Sequence, residues 1–360
     1  MRKRYLTNLD YLKGLAIIGV VAIHTLGTEY PLNNDFLYTM YINTINLSAF
    51  SVPFFIFISG LVLTYNYGDI KMNYKEFIRK RFLAILIPYL IWSFIYIIYN
   101  TVEIEKTFDI NPISIIRKLI TGNAEFHLYY IVLIIQFYLI FPFILKYFLK
   151  FKEQHTNLLF LIFFFNLLII FAYYYQFDYL SEKILKKVFI FWIFYFVFGM
   201  IMGYNIDNNK YQISDRSLKY FIFLFLITFV SLDISYFSNG LQDKNIFWLR
   251  PQTLIYATLS IIIAFKFSNE LKITDNLKLP AQLLKKFGQN SFGIYLSHAL
   301  FLSISSRSFD MLHIDNHSFY YNFLLFSVVL ITSLIFVIII SRLPFGRFLV
   351  GNTYRKNLNP

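Results

Sequence analysis

The chain has 360 residues, of which 58% are hydrophobic and 21% aromatic, with a mean hydropathy of +0.56 and a formal net charge of +13. That balance excludes a water-soluble domain and marks an all-α, polytopic membrane protein. The sequence holds no cysteine, which excludes disulfides, thiolate metal sites and cysteine nucleophiles, and its basic residues fall in short clusters between apolar runs, as topology determinants do and a nucleic-acid surface does not.

After a basic lead at Arg2, Lys3 and Arg4, the first predicted span covers 9–27, LDYLKGLAIIGVVAIHTLG, too long and too charged at its start for a cleavable signal. It carries Asp10, Lys13 and His24. At 100° per residue, Lys13 lies about 20° and Asp10 about 40° from His24, so one helical face holds all three. Along the axis they stand roughly 16 Å and roughly 21 Å from His24, which predicts a charged pair near one surface and an imidazole near the other. Ionisable groups at membrane depth turn toward a cavity or a partner, and this face is therefore the first candidate for a functional site.

A polar loop around Glu29 to Asp35 leads to a second span at 46–67. The cluster Lys71, Lys75, Arg79, Lys80 and Arg81 precedes a third span at 82–102. Residues 103–123 are too polar to cross; Ile113, Ile115, Ile116, Leu119 and Ile120 around Arg117 and Lys118 predict a short helix lying in the interface. Further spans are predicted at 126–149, 157–175, 188–204, 218–237, 252–267, 289–305 and 319–341, making ten in a single domain over 1–360, with no fixed-period repeat and no separate soluble domain. With both termini cytoplasmic, 23 of the 33 Lys and Arg residues fall on inner segments and nine on outer ones, and Lys13 lies within the first span. This is the asymmetry expected of a membrane protein in that orientation.

The topology then places His24 near the outer surface with Glu125 and His127, and Arg79 and Arg81 near the inner surface with Asp10 and Lys13. Glu125 and His127 are two residues apart, so a regular helix turns only one of them toward His24. Tyr295 and His298, three apart, are neighbours near mid-membrane, where an interhelical hydrogen bond is as good a reading as a catalytic part. Ser59 and Gly60, with Gly14, read as close helix contacts. Asp233 and Arg250 read first as an ion pair, and Tyr129 and Tyr130 as lipid-facing or as a platform for a sugar ring. A basic inner end with imidazole and carboxylate at the outer end suits an anionic, phosphate-bearing donor and proton transfer from a hydroxyl. Walker, HExxH and GxGxxG patterns are absent from the sequence, which leaves phosphoryl transfer, zinc hydrolysis and dinucleotide redox without a motif.

Five stretches carry a resemblance: LDYLKGLAIIGVVAIH at 9–24, VPFFIFISGLVL at 52–63, RKRFLAILIPYLIW at 79–92, HLYYIVLIIQFYLIFP at 127–142 and FGQNSFGIYLSH at 287–298. Together they resemble the acyltransferase-3 family of integral membrane O-acyltransferases, and FIFWIFYFVFGMIMGYN at 189–205 resembles its intercellular-adhesin branch, which O-succinylates poly-N-acetylglucosamine. The resemblance implies acyl-coenzyme A as the donor, no metal, a cell-envelope or extracellular polysaccharide as the acceptor, polysaccharide synthase or export components as partners, and the bacterial cytoplasmic membrane as the location. It implies His24 as general base, with Arg81 and the Lys13 position at the coenzyme A end; the topology adds His127 or Glu125 beside His24, and Arg79 and Asp10 at the inner, donor end, where the structural alternatives are an Asp10–Lys13 pair and a topology anchor at Arg79 to Arg81. Two positions depart from the family pattern. Lys13 stands where the family usually has arginine, keeping the charge without a bidentate fork, and Ala84 stands where a second basic residue is often found. Some relatives add an extracellular serine-hydrolase-like domain; without one, this chain is expected to acylate its acceptor directly or to hand over to another protein. The alternative from a different class is an exporter of polysaccharide or lipid-linked saccharide, with the same polar face lining its path.

Overall fold

Where long apolar runs face lipid, backbone groups must be satisfied within each segment, and the chain answers with helices. The computed structural model describes residues 5–26, 35–69, 72–104, 111–176, 182–207, 213–239, 247–270, 278–315 and 319–351. Arg2 to Arg4, the loop from Glu29 to Asn34, Lys71, Lys106, Lys210, Lys244, Lys272, Arg355 and Lys356 lie outside the described residues. In chain order the helices are α1 (Asn8–Thr25), α2 (Asp35–Ser48), α3 (Ser51–Tyr67), α4 (Tyr74–Arg81), α5 (Ile87–Tyr99), α6 (Pro112–Thr121), α7 (Tyr129–Lys150) and α8 (His155–Gln176). They continue as α9 (Glu182–Leu185), α10 (Ile193–Asn205), α11 (Asp215–Asn239), α12 (Pro251–Glu270), α13 (Lys278–Gln289), α14 (Ser291–Met311), α15 (Phe319–Ile340) and α16 (Gly346–Val350), with no strand among the described residues.

The protein is an all-α polytopic membrane protein. Among the described residues six helical stretches are long and apolar enough to cross a bilayer: Tyr38–Tyr67, Tyr74–Glu103, Tyr129–Lys150, His155–Tyr173, Asp215–Ser235 and Tyr320–Ile340. The other predicted spans fall on α1, α10, α12 and α14, of which α10 is short and apolar. The remaining three turn polar residues inward: Asp10 and Thr25 on α1, Thr253, Ser260 and Ser268 on α12, and Ser291, Ser297, His298 and Ser305 on α14 are all buried.

Several boundaries differ from the sequence reading for identifiable reasons. The second apolar stretch begins at Tyr38 rather than at 46 because Asn46 is not a loop residue; it is buried and donates to the Asp233 carboxylate at 2.6 Å. That bond also replaces the expected ion pair of Asp233 with Arg250. The third stretch begins at Tyr74, where the Asn73 side chain caps the helix by accepting from the Glu76 amide at 3.2 Å. Residues Phe82–Leu86 then widen into a π-helical turn before Pro88, whose ring and missing N–H disfavour a regular α-turn. The short helix expected around Arg117 is α6, capped by Asn111, ended by Gly122 at φ 67°, and exposing Ile113, Ile116 and Ile120 along one stripe. Helix α13 was not foreseen; it lies against α1.

Glycines set the closest approaches. A Cβ added at Gly60, Gly199 or Gly203 would sit 2.1, 2.0 or 2.2 Å from the carbonyl oxygens of Phe196, Phe57 and Leu61, so α3 and α10 pack backbone to backbone. The same holds between α1 and α13, where Cβ atoms at Gly14 and Gly288 would stand 2.2 Å from Leu284 O and 1.8 Å from Asp10 O. Two apolar clusters result. One gathers Phe54, Phe57, Phe137 and Phe196 around α3, α7 and α10; the other gathers Val20, Trp92, Tyr96 and Ile294 around α1, α5 and α14. Helix α1 belongs to both, with Leu9, Leu12 and Ala16 in the first and Ile17, Val20 and Val21 in the second.

Candidate active site

The second cluster surrounds three imidazoles. His24 sits in the last turn of α1 and is half-buried as a residue. His298 lies on α14, fully buried, with its ring stacked on His24 at 5.5 Å between centroids and 25° between planes. His127 lies just before α7, 2% exposed, edge-to-face with His298 at 4.7 Å. Phe126 faces His24 at 4.6 Å, and Tyr96 and Tyr295 flank His127 at 5.4 and 5.1 Å. The sequence reading joined His24 to His127; the structure adds His298, which interaxial packing of α1 against α14 supplies and spacing along the chain does not show.

The entry to α7 is irregular. Residues 124–128 form a turn, and Glu125 holds it: one carboxylate oxygen accepts from the Phe126 amide at 3.1 Å and the other from the Asn100 side chain at 3.1 Å. Glu125 therefore braces the loop that carries Phe126 and His127, and its oxygens are occupied by those donors rather than by His24. Tyr295 adds a second brace, its hydroxyl donating to the His127 carbonyl.

Tyr96 reaches into α14 beside these rings. Its hydroxyl donates to the Leu296 carbonyl at 2.7 Å and accepts from the Leu300 amide at 3.2 Å. Those two backbone groups would bond each other in an uninterrupted α-helix, so a phenol has been inserted into the ladder that brackets His298. Within the cluster, Nδ1 of His298 stands 2.7 Å from the Tyr295 carbonyl, while His298 Nε2 and both ring nitrogens of His127 are buried without a hydrogen-bond partner. Native interiors leave few polar atoms in that condition, and three in one place mark a site for a hydroxyl, an amide or water.

Arg81 and Arg79 part company at the other end. The Arg81 guanidinium turns inward over the rings of Phe77 and Tyr138, 5.7 Å from each centroid, and its Nε is buried without a partner. Arg79 is exposed and lines an open recess of about 450 Å³ with Tyr74, Lys75, Ile78, Phe82 and Leu83. Helix α7 carries polar aromatic groups from Arg81 back toward the histidines: Tyr138 lies under the guanidinium, and Tyr130, eight residues earlier on the same helix, meets the Tyr295 ring at 5.6 Å. Tyr129 and Tyr130 are consequently not a sugar platform; Tyr129 is buried under the Lys186 ammonium at 4.7 Å, and Tyr130 lies between Phe55 and Tyr295.

Asp10 and Lys13 form a different kind of place. Asp10 is fully buried and accepts from Tyr5 Oη at 2.7 Å and from Gln289 Nε2 at 3.1 Å, with the Lys13 ammonium at 3.5 Å. Its carboxylate pins α1 to the junction of α13 and α14.

The backbone between α9 and α10 leaves the α-helical ladder and keeps only a 3₁₀ turn at Phe189–Phe191. Gln136 on α7 donates to the Lys187 carbonyl at 2.6 Å and accepts from the Phe189 amide at 3.3 Å; Asn166 on α8 donates to the Ile190 carbonyl at 2.7 Å and accepts from the Phe194 amide at 3.1 Å. Two side-chain amides thus stand in for the missing ladder. This strap presents Lys186 above Tyr129, and Lys187 to Thr121 O at 2.7 Å. Among the described residues no group of three or more His, Cys, Asp or Glu side chains could hold a metal ion.

Comparison with known proteins agrees with the resemblance. A family model described as an acyltransferase domain matches residues 6–342. A "Probable poly-beta-1,6-N-acetyl-D-glucosamine export protein" of Staphylococcus aureus is 25% identical over 293 residues, covering 74% of this chain and 80% of the relative. The protein of the same name from Staphylococcus epidermidis is 23% identical over 320 residues, covering 84% of this chain and 82% of the relative. No solved structure matches.

Proposed function

The chain belongs to the acyltransferase-3 family, and on that premise we propose that it moves an acyl group from cytoplasmic acyl-coenzyme A to a hydroxyl of a cell-envelope polysaccharide. In this reading ten helices cross the bacterial cytoplasmic membrane with both termini inside. The acceptor class we assign is a poly-N-acetylglucosamine, the polymer in the names of the staphylococcal relatives.

The observation that carries the proposal is the pairing of an inward-facing arginine at one end of a polar aromatic line with unpartnered imidazole nitrogens at the other. Arg81 attracts the anionic end of the donor, and the thioester lies along the line toward the histidines. His24, the one of the three that is not fully buried as a residue, takes the proton of the attacking hydroxyl. The hydroxyl oxygen bonds to the thioester carbonyl carbon, the carbon–sulfur bond breaks, and coenzyme A leaves as a thiol once its sulfur is protonated.

The test is transfer of label from acetyl- and succinyl-coenzyme A, run in parallel, to envelope glycan in membranes holding wild-type or His24→Ala protein at matched expression. Label moved by wild type and not by the variant supports the enzyme and reports the acyl group. A second reading, export of the polysaccharide, has the printed name of the relatives in its favour. Saccharide trapped inside cells lacking the protein, with no label transferred from either donor, would replace the first reading by the second.

A further inference from the structure

His298 has a feature that neither packing nor interhelical bonding uses. Its Nδ1 lies 2.7 Å from the Tyr295 carbonyl and 3.3 Å from the Ile294 carbonyl. A carbonyl oxygen only accepts, so Nδ1 must carry the hydrogen and Nε2 must be the unprotonated nitrogen of the neutral ring. That Nε2 is buried without a partner, between the rings of His24 and His127.

We infer that His298 is a second catalytic residue, which receives at Nε2 the proton taken up by His24 and returns it from the same atom to the departing sulfur. The inference rests on the acyltransferase reading and completes its proton balance. The hydroxyl meets His24, the one histidine of the cluster that is not fully buried, whereas the aromatic groups of α7 from Tyr138 under Arg81 to Tyr130 lead through Tyr295 to His127 and His298. Donor sulfur and acceptor oxygen thus lie toward different histidines, and the proton must pass between them. As the oxygen–carbon bond forms, the hydroxyl proton goes to one nitrogen of His24; the proton on its other nitrogen passes to His298 Nε2, through a rotation of the His24 ring out of its stack or through one water. As the carbon–sulfur bond breaks, the electron pair goes to sulfur and the His298 Nε2 proton follows it. His298 ends as it began, because the Tyr295 carbonyl retains the Nδ1 hydrogen throughout.

The experiment compares wild type, His24→Ala, His298→Gln and His298→Ala in detergent-purified full-length protein, each checked for a wild-type melting temperature, with labelled acyl-coenzyme A and glycan. The expected result for His298→Gln is a fall in kcat of about 10²-fold with KM for acyl-coenzyme A within about threefold of wild type. In His298→Ala, added imidazole should restore turnover, to a degree that follows the basicity of substituted imidazoles. A packing role would not respond to basicity. Wild-type turnover in folded His298→Gln, or imidazole rescue indifferent to basicity, overturns the relay while leaving the acyltransferase reading intact if His24→Ala is inactive. Absence of transfer by wild type removes both.

Discussion

Helix α1 carries two polar places, and they are built in opposite ways. At its inner end every oxygen of the buried Asp10 carboxylate is engaged, by Tyr5, Gln289 and Lys13. At the outer end His24 enters a cluster whose neighbours hold three buried nitrogens without partners. Both places cost free energy to bury, since ionisable and polar groups are poorly solvated at membrane depth. The first offsets that cost within the protein and joins helices; the second leaves it open, which is what a site awaiting a hydroxyl or an amide requires. Sharing a helix face in sequence therefore did not make the two ends one track.

The sharpest way to break this contrast is to remove one group from each end. His24→Ala should lower acyl transfer by about 10³-fold while leaving the melting temperature in detergent near wild type. Asp10→Ala should do the reverse, destabilising the fold by roughly 3 kcal/mol because it leaves the Lys13 charge and two hydrogen-bonding groups without their partner, with transfer per folded molecule retained. A thermal melt and a turnover assay on the same samples decide this, and a stable, inactive Asp10→Ala would return Asp10 to the donor site. Gly199→Ala probes the dry α3–α10 contact, where the added methyl would lie 2.0 Å from Phe57 O; we expect a loss of about 2 kcal/mol in stability. The two arginines give a smaller effect. Arg81→Ala should raise KM for acyl-coenzyme A about tenfold, close to 1.4 kcal/mol, and Arg79→Ala by less than about twofold, measured by initial rates over a range of donor concentrations. Smallest of all, Glu125→Gln keeps an acceptor oxygen for one of its two donors, Asn100 or the Phe126 amide, and should reduce kcat by only about threefold; a loss matching that of His24→Ala would make Glu125 a catalytic acid or base instead of a brace.

Hydrophobic runs made the helices legible, because a span is a local property of about 20 residues. Glycine contacts at Gly14 and Gly60 were legible too, since small residues in apolar helices have few other uses. What the sequence hid was tertiary. His298 joins His24 only because α14 packs on α1, and Tyr96 enters the α14 ladder from a helix about 200 residues away. Asp10 was placed with the donor site because charge near the first span suggested phosphate; Lys13, one turn on, was legible as its partner, but the other two groups that satisfy it could not be seen by periodicity, since Tyr5 precedes the helix and Gln289 ends α13, a helix about 280 residues away. The irregular 124–128 turn was likewise legible only as the condition for both Glu125 and His127 to turn toward His24.

The widened turn at Phe82–Leu86 sets the phase between two readings of one continuous helix. Above it, α5 must show Trp92 and Tyr96 to the core; below it, α4 must show Phe77 and Arg81 to Tyr138. An α-helix advances by a fixed 100° per residue and cannot choose these two headings independently. The wide turn acts as a rotational spacer between them. Deleting a single residue there would turn Arg81 by roughly 100° against α5 and aim it at lipid or solvent without altering any side chain's identity. The heading of the donor-end cation is thus written in a backbone length, and substitutions alone would not reveal it.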